Sequence, residues 1–138
     1  MVAPRALTAE FRKVHQYNVF TVNTPMQYGL AAYMADPQPY LDLPAFYQRK
    51  RDLFRTGLAN TRFTLLPADG TYFQCVRYDG VSDIPELEFA QWLTREIKVA
   101  AIPLSPFYMA GNESGVVRFC FAKQDATLAL ALERLARL

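Results

Sequence analysis

Few residues in this sequence have the type and setting to do chemistry, and the most constrained of them is an arginine. Arg118 stands in the middle of residues 115–123, which read G-V-V-R-F-C-F-A-K. A short run of β-branched and aromatic residues reads as a strand, and side chains on a strand alternate between faces. Val117, Phe119 and Phe121 then share one face, and Val116, Arg118 and Cys120 share the other. A guanidinium stays charged, so a half-buried one needs an anion to meet it. The run contains no acid. The partner is either a carboxylate from elsewhere in the fold or the carboxylate of a ligand.

The remaining reactive types are weaker candidates. His15 is the only histidine and follows Lys13-Val14 on a surface helix, a structural setting. Ser105 and Ser114 lack the G-x-S-x-G context of a serine nucleophile. Two separated cysteines, Cys75 and Cys120, with one histidine fall short of a zinc ligand set, so no metal site is expected. The glycines are scattered, which excludes a phosphate loop. Lys13, Lys50, Lys98 and Lys123 lie in polar surroundings, unlike the lysine of an enzyme that forms a covalent bond with an amine or carbonyl substrate. The pairing of Arg118 with Phe119 and Phe121 is a faint likeness of an RNA-binding strand, but the glycine and alanine positions of that motif are missing.

Composition narrows the class further. The chain has 138 residues, 51% of them hydrophobic, with a formal net charge of +2. That length suits one domain or part of a larger protein, and the apolar content excludes disorder. The small net charge argues for neither nucleic acid nor a membrane surface as partner. No apolar run approaches the ~20 residues of a bilayer-spanning helix, and the N-terminus has no signal-peptide core. Both cysteines sit in apolar strand-like runs, as buried free thiols do in a reducing compartment. A soluble, cytoplasmic chain is expected.

These residues must be positioned by a small set of elements. Residues 8–17 read as a helix capped by Thr8, and Thr24-Pro25 starts another. Asp36-Pro-Gln-Pro39 breaks the chain, which sets a boundary between residues 1–35 and 36–138. A helix over 42–58 carries a stripe of Phe46, Leu53 and Gly57, with Arg49-Lys50-Arg51 and Arg55 as a solvated face. Residues 62–66 and 71–78 form strands joined by Pro67-Ala-Asp-Gly70. Asp83 and Glu86 form a capping box with Pro85 in the first turn, and Phe89, Ala90, Leu93 and Ile97 give the apolar face of the helix that follows. A strand over 99–104, a loop over 105–114, the Arg118 strand and an amphipathic helix over 125–138 complete the order. Residues 36–138 are thus predicted as α-β-β-α-β-β-α, an α+β layer with helices on one side of a mostly antiparallel sheet.

Taken together, Arg12-Lys-Val-His-Gln16, Phe20-Thr-Val-Asn-Thr-Pro25, Phe46-Tyr-x-x-Lys-Arg51, Gly70-Thr-Tyr-Phe73, Ala100-Ala-Ile-Pro-x-Ser105 and Val117-Arg-Phe-Cys-Phe-Ala-Lys123 resemble the C-terminal part of class I/II, fold type I aminotransferases. The likeness is greatest to the methionine and kynurenine (glutamine) transaminase branch and runs in family order over nearly the whole chain. It implies transfer of an amino group between an amino acid, of methionine or aromatic type, and a 2-oxo acid. Arg118 is implied to bind the substrate α-carboxylate, and Phe73 to lie in the substrate cleft. Phe20 and Thr21 are implied to line the active site of the neighbouring subunit in a homodimer.

The same resemblance places the pyridoxal 5′-phosphate lysine upstream of this chain, with Val2-Ala-Pro-Arg5 following it. Residues 1–35 become the end of a large cofactor domain, and 36–138 the small C-terminal domain. On this reading the chain alone is an inactive fragment that does not bind the cofactor. The rival expectation is a non-catalytic α+β module that binds a small carboxylate or a protein partner.

Overall fold

The computed structural model describes residues 2–109 and 114–138. The chain separates into two compact units, Met1–Leu41 and Asp42–Leu138. The first holds three helices, α1 (Arg5–Asn18), α2 (Thr24–Met34) and α3 (Gln38–Leu41), and buries none of the residues in them. Pro4, not Thr8, stands at the N-cap of α1; the Thr8 hydroxyl instead donates back to Ala3 O and Pro4 O, both at 3.2 Å. The second helix starts as expected. Asn23 Oδ1 accepts from Met26 N at 3.1 Å, and Pro25 needs no donor partner in the first turn. The Pro-rich segment read as a break contains the short helix α3, because a proline at the start of a helix forfeits no hydrogen bond.

The second unit runs α4 (Leu43–Leu58), β1 (Thr64–Leu65), β2 (Phe73–Arg77), α5 (Glu86–Trp92), β3 (Ile102–Pro103), β4 (Val116–Cys120) and α6 (Asp125–Leu135). Its sheet has the order β1-β2-β4-β3, every neighbouring pair antiparallel. The predicted α+β order therefore stands, with shorter strands at 64–65 and 102–103. A two-residue β3 replaces the continuous 99–104 strand, since only Ile102 and Pro103 find ladder partners, Arg118 and Val117. Beyond α5 a single π turn, Leu93–Ile97, ends at Lys98 with φ of 61°, a left-handed position unusual for lysine. The expected 105–114 loop begins as a 3₁₀ turn, Ser105–Phe107; its residues 110–113 lie outside the described residues.

One face of the sheet makes the core. Val76, Val117, Phe119 and Phe121 pack against Phe54 and Leu58 of α4, Phe89 and Leu93, and Leu128 and Leu135 of α6. Phe119 meets Phe54 and Phe63 edge-on, each with centroids 6.0 Å apart, and Tyr78 stacks on Phe89 at 4.0 Å. The face of α4 differs from the expected one: Lys50, Phe54 and Leu58 are its buried residues, while Phe46 and Leu53 are largely exposed. The basic run of α4 is only in part the expected solvated face: Arg49 is exposed, but two others turn inward. Lys50 is buried and donates to Asp125 Oδ1 at 2.5 Å and Lys123 O at 2.8 Å, and Arg55 donates to Leu66 O and Gln74 Oε1 at 3.0 and 2.6 Å. Those basic side chains staple α4 to the sheet and to α6. Among the described residues no helix is long and apolar enough to cross a membrane.

Candidate functional site

The opposite face of the sheet carries the candidate site. Residues paired directly across an antiparallel ladder share a face. In the β2–β4 ladder Phe73 pairs with Cys120, Cys75 with Arg118 and Arg77 with Val116. Ile102 of β3 pairs with Arg118 from the other side. Arg118 thus sits on a central strand, flanked by Cys75 and Ile102, with its own core-facing neighbours Val117 and Phe119 buried. The alternation read from residues 115–123 is what aims the guanidinium away from the core.

Two aromatic rings set its surroundings. The guanidinium carbon lies over the Phe73 ring at 4.0 Å and near the Phe107 ring at 5.4 Å. Contacts of this kind stabilise a cation by ~0.5–2 kcal/mol and leave its in-plane N–H groups to other partners. The Nε–H of Arg118 is buried and has no hydrogen-bond partner among the described residues. Among the described residues no carboxylate forms an ion pair with Arg118. A buried donor left in this way costs ~1–3 kcal/mol. Of the two partners that the sequence left open, an internal carboxylate is not found among the described residues. Burial pushes the Cys75 thiol up from its ordinary value, against the lowering effect of Arg118, which keeps it a neutral, weakly nucleophilic neighbour. Cys75 and Cys120 are diagonal neighbours, a spacing of ~7–8 Å between ladder positions that does not suit a disulfide.

A second buried charge, which the sequence reading placed in a capping box, stands behind this face. Glu86 is the first residue of α5, is 0% exposed, and follows Pro85 at the N-cap. Its carboxylate does not reach back to Asp83. Oε2 accepts from Leu104 N at 3.0 Å and Ser105 N at 2.7 Å; Oε1 accepts from Ser114 N at 2.7 Å, Ser114 Oγ at 3.1 Å and Val116 N at 3.1 Å. Burial alone raises its pKa, but the hydrogen bonds from Val116, Ser105 and Ser114 outweigh burial and hold the carboxyl below its ordinary value. Neither Glu86 nor Phe107 stands out from the sequence as a site residue, because the partners of the first lie 18 to 30 residues away and the second meets Arg118 only through the fold of the segment between β3 and β4.

The other expected site residues fall elsewhere. Phe20 and Thr21 belong to the first unit, in the connection between α1 and α2; Phe20 is fully exposed and Thr21 Oγ1 donates to Val22 O at 3.3 Å. His15 lies exposed on α1 with its ring 5.4 Å from that of Phe11. Lys13 pairs with Glu10 at 2.8 Å, Lys98 donates to Arg95 O, and Lys123 is exposed. No group of acids, cysteines and histidine suited to a metal occurs among the described residues. A cavity of about 230 Å³ between β4 and α6, lined by Phe54, Phe119, Leu128 and Arg134 among others, does not include Arg118. Its lining is mostly apolar but includes Lys98, Lys123 and Arg134, and it is separate from the Arg118 face.

Comparison with known proteins bears on this geometry. The family profile described as aminotransferase class I and II matches residues 1–135. Methionine aminotransferase of Escherichia coli is 50% identical over 138 residues, which cover 99% of this chain and 36% of the relative. Kynurenine–oxoglutarate transaminase 3 of Homo sapiens is 32% identical, with 96% and 34% covered. Among solved structures, an Escherichia coli methionine aminotransferase superposes with a TM-score of 0.88 at 50% identity, covering 99% of this chain and 36% of that one. N-succinyldiaminopimelate aminotransferase of Mycobacterium tuberculosis superposes with a TM-score of 0.82 at 30% identity, covering 98% and 36%. The chain therefore spans about a third of the length of the relatives it matches. Matched over all but its last three residues, it belongs to the class I and II aminotransferases.

Proposed function

We propose that this chain supplies the substrate-carboxylate arm of an aminotransferase that exchanges an amino group between an amino acid of methionine or aromatic type and a 2-oxo acid. The single observation that carries the reading is Arg118: a half-buried guanidinium set against two rings, with a buried Nε–H that has no partner and no carboxylate paired with it among the described residues. Amino acids and 2-oxo acids share a carboxylate, and a guanidinium fork receives that planar group through two parallel hydrogen bonds. Holding the shared group leaves the exchanged position free to alternate between amine and carbonyl. Phe73 stiffens the fork from one side and presents an apolar edge to the substrate side chain. In this reading residues 1–35 end a large domain, residues 36–138 are the small domain, and Phe20 and Thr21 serve the active site of a second subunit in a cytoplasmic homodimer.

The family works with pyridoxal 5′-phosphate, which supplies the electron sink for the exchange when bound. The described residues do not fit that group. An attachment amine must be desolvated or activated by a neighbour, whereas Lys13 and Lys50 are paired with acids, Lys98 is turned to a carbonyl and Lys123 is exposed. We therefore place the cofactor-holding residues in a part of the enzyme other than these residues. The 138-residue chain is expected to develop no cofactor absorbance and no transamination of methionine; either one would overturn this assignment.

Carboxylate binding is tested by calorimetric titration of 4-methylthio-2-oxobutanoate into the chain. Charge-assisted hydrogen bonds contribute ~1.5–3 kcal/mol, so Arg118→Ala should weaken binding by roughly 10- to 100-fold. Arg118→Lys keeps the charge but loses the fork and should fall between. An Arg118→Ala chain that binds as well as its parent, or a parent that binds no 2-oxo acid, sinks the reading.

A further inference from the structure

Resting on the reading of Arg118 as the carboxylate anchor, we propose that Glu86 is the positioning residue of this site: its buried carboxylate fixes both the turn that lays Phe107 against Arg118 and the first residue of the strand that carries Arg118. Glu86 belongs to α5, and none of the donors to its carboxylate comes from Arg118. Its two oxygens nevertheless gather donors from both ends of the segment leading from β3 to β4. Oε2 takes the N–H groups of Leu104 and Ser105. These two residues root the 3₁₀ turn, since Leu104 O accepts from Phe107 N at 2.9 Å and Ser105 O accepts from Tyr108 N at 3.1 Å. Phe107 itself is 64% exposed, so little packing of its own holds the ring in place. Oε1 takes Ser114 twice and Val116 N, the start of β4, two residues before Arg118.

The arrangement is one buried anion bridging four backbone donors and one hydroxyl, with no ion pair to it among the described residues. A fully buried carboxylate is otherwise rare, and it is tolerated here because every contact is a charge-assisted hydrogen bond. Removing the charge releases the turn and the strand start together. The ring of Phe107 should then leave the guanidinium while Phe73, held by the β2–β4 ladder, stays. Phe107 accordingly becomes a residue of the site, an exposed apolar flank beside the anchor that a methionine-like or aromatic side chain can meet.

The test reads the Arg118 Nε–Hε resonance of the 15N-labelled chain without ligand, assigned by its loss in Arg118→Lys. Phe107→Ala defines the displacement caused by removing that ring. In Glu86→Gln the resonance should move most of the way to the Phe107→Ala position, with the methyl signals of Val76 and Val117 unchanged. Glu86→Asp keeps the charge but withdraws it by one methylene and should move the resonance in the same direction by less. This variant decides the matter if Glu86→Gln does not fold. A folded Glu86→Gln or Glu86→Asp chain whose Arg118 resonance stays at the parent position overturns the proposal, even if the variant is less stable. Titrating 4-methylthio-2-oxobutanoate into the parent separates the two readings. A resonance that ignores the ligand defeats the carboxylate reading, and the ligand-free spectra still decide whether Glu86 positions Phe107.

Discussion

Arg118 on the central strand and Glu86 at the start of α5 are opposite charges in one unit, and they are handled in opposite ways. The carboxylate of Glu86 is saturated by five donors, whereas the Nε–H of Arg118 is left without one. Most buried polar groups are satisfied as Glu86 is, and a buried one left open calls for a partner that the described residues do not supply. The saturated one makes stability depend on pH. Because the folded pKa of Glu86 lies below its unfolded value of ~4.3, its contribution is fully present above that value and is lost as pH falls through the folded pKa. Asp125, lowered by its hydrogen bond with Lys50 and by that residue's charge, acts in the same direction. Urea unfolding of the chain should show stability declining below about pH 4, with a shallower acid decline in Glu86→Gln. At neutral pH that variant should lose ~1–3 kcal/mol, the cost of buried donors left without an anion. An acid limb identical in the two chains would rule Glu86 out as its source. None of this was visible in Asp83-x-x-Glu86, which matches a capping box. The same glutamate, a local cap by its sequence, is a long-range hub because its acceptors meet donors up to 30 residues away.

Among the elements, α4 and α6 show how much a contact depends on one missing side chain. Gly57 lies in α4 at the point where Leu132 of α6 presses on it; a Cβ there would stand 2.4 Å from Leu132 Cδ1 and 2.9 Å from its Cγ. Glycine inside a helix costs ~1 kcal/mol relative to alanine. Overpacking costs ~1–3 kcal/mol, and here it wins because the Leu132 branch point, and not just a methyl tip, is in the way. Gly57→Ala should therefore lower stability by about 1 kcal/mol, read as a drop in the thermal midpoint. Adding Leu132→Ala to Gly57→Ala should cost less than Leu132→Ala does alone. Additive effects in that cycle would refute the clash. The helices themselves were legible from sequence, as a stripe over 42–58 that includes Gly57 and an amphipathic pattern over 125–138. The buried face of α4 was not, since Lys50 outranks Phe46 and Leu53 in burial by reaching Asp125 and Lys123 O across the fold.

For the molecule as a whole, the contrast is between its two units. The second has a core built from thirteen buried residues, none of them from the first unit. The first, Met1–Leu41, leaves Phe11, Tyr17, Phe20, Val22, Met26 and Leu30 exposed. Apolar surface on that scale favours association. Light scattering of the chain should show a mass that rises with concentration, and Phe20→Ser with Leu30→Ser should reduce it. A monomer at all concentrations would contradict this.

The sequence by itself determined the order of elements in residues 36–138, the antiparallel sheet and the alternation that sends Val117 and Phe119 inward and Arg118 outward. Each follows from local periodicity and turn chemistry, which a chain carries wherever it folds. It also determined the family, because motifs in series survive in the string of residues. Only the tertiary structure decided that no acid among the described residues pairs with Arg118, that Phe73 and Phe107 are the rings beside it, and that Glu86 ties the segment behind it. Those facts depend on which distant residues share one small volume, and no window of the sequence contains that information. The arginine was legible as a question about its partner; the fold answered by leaving its Nε–H unpaired among the described residues.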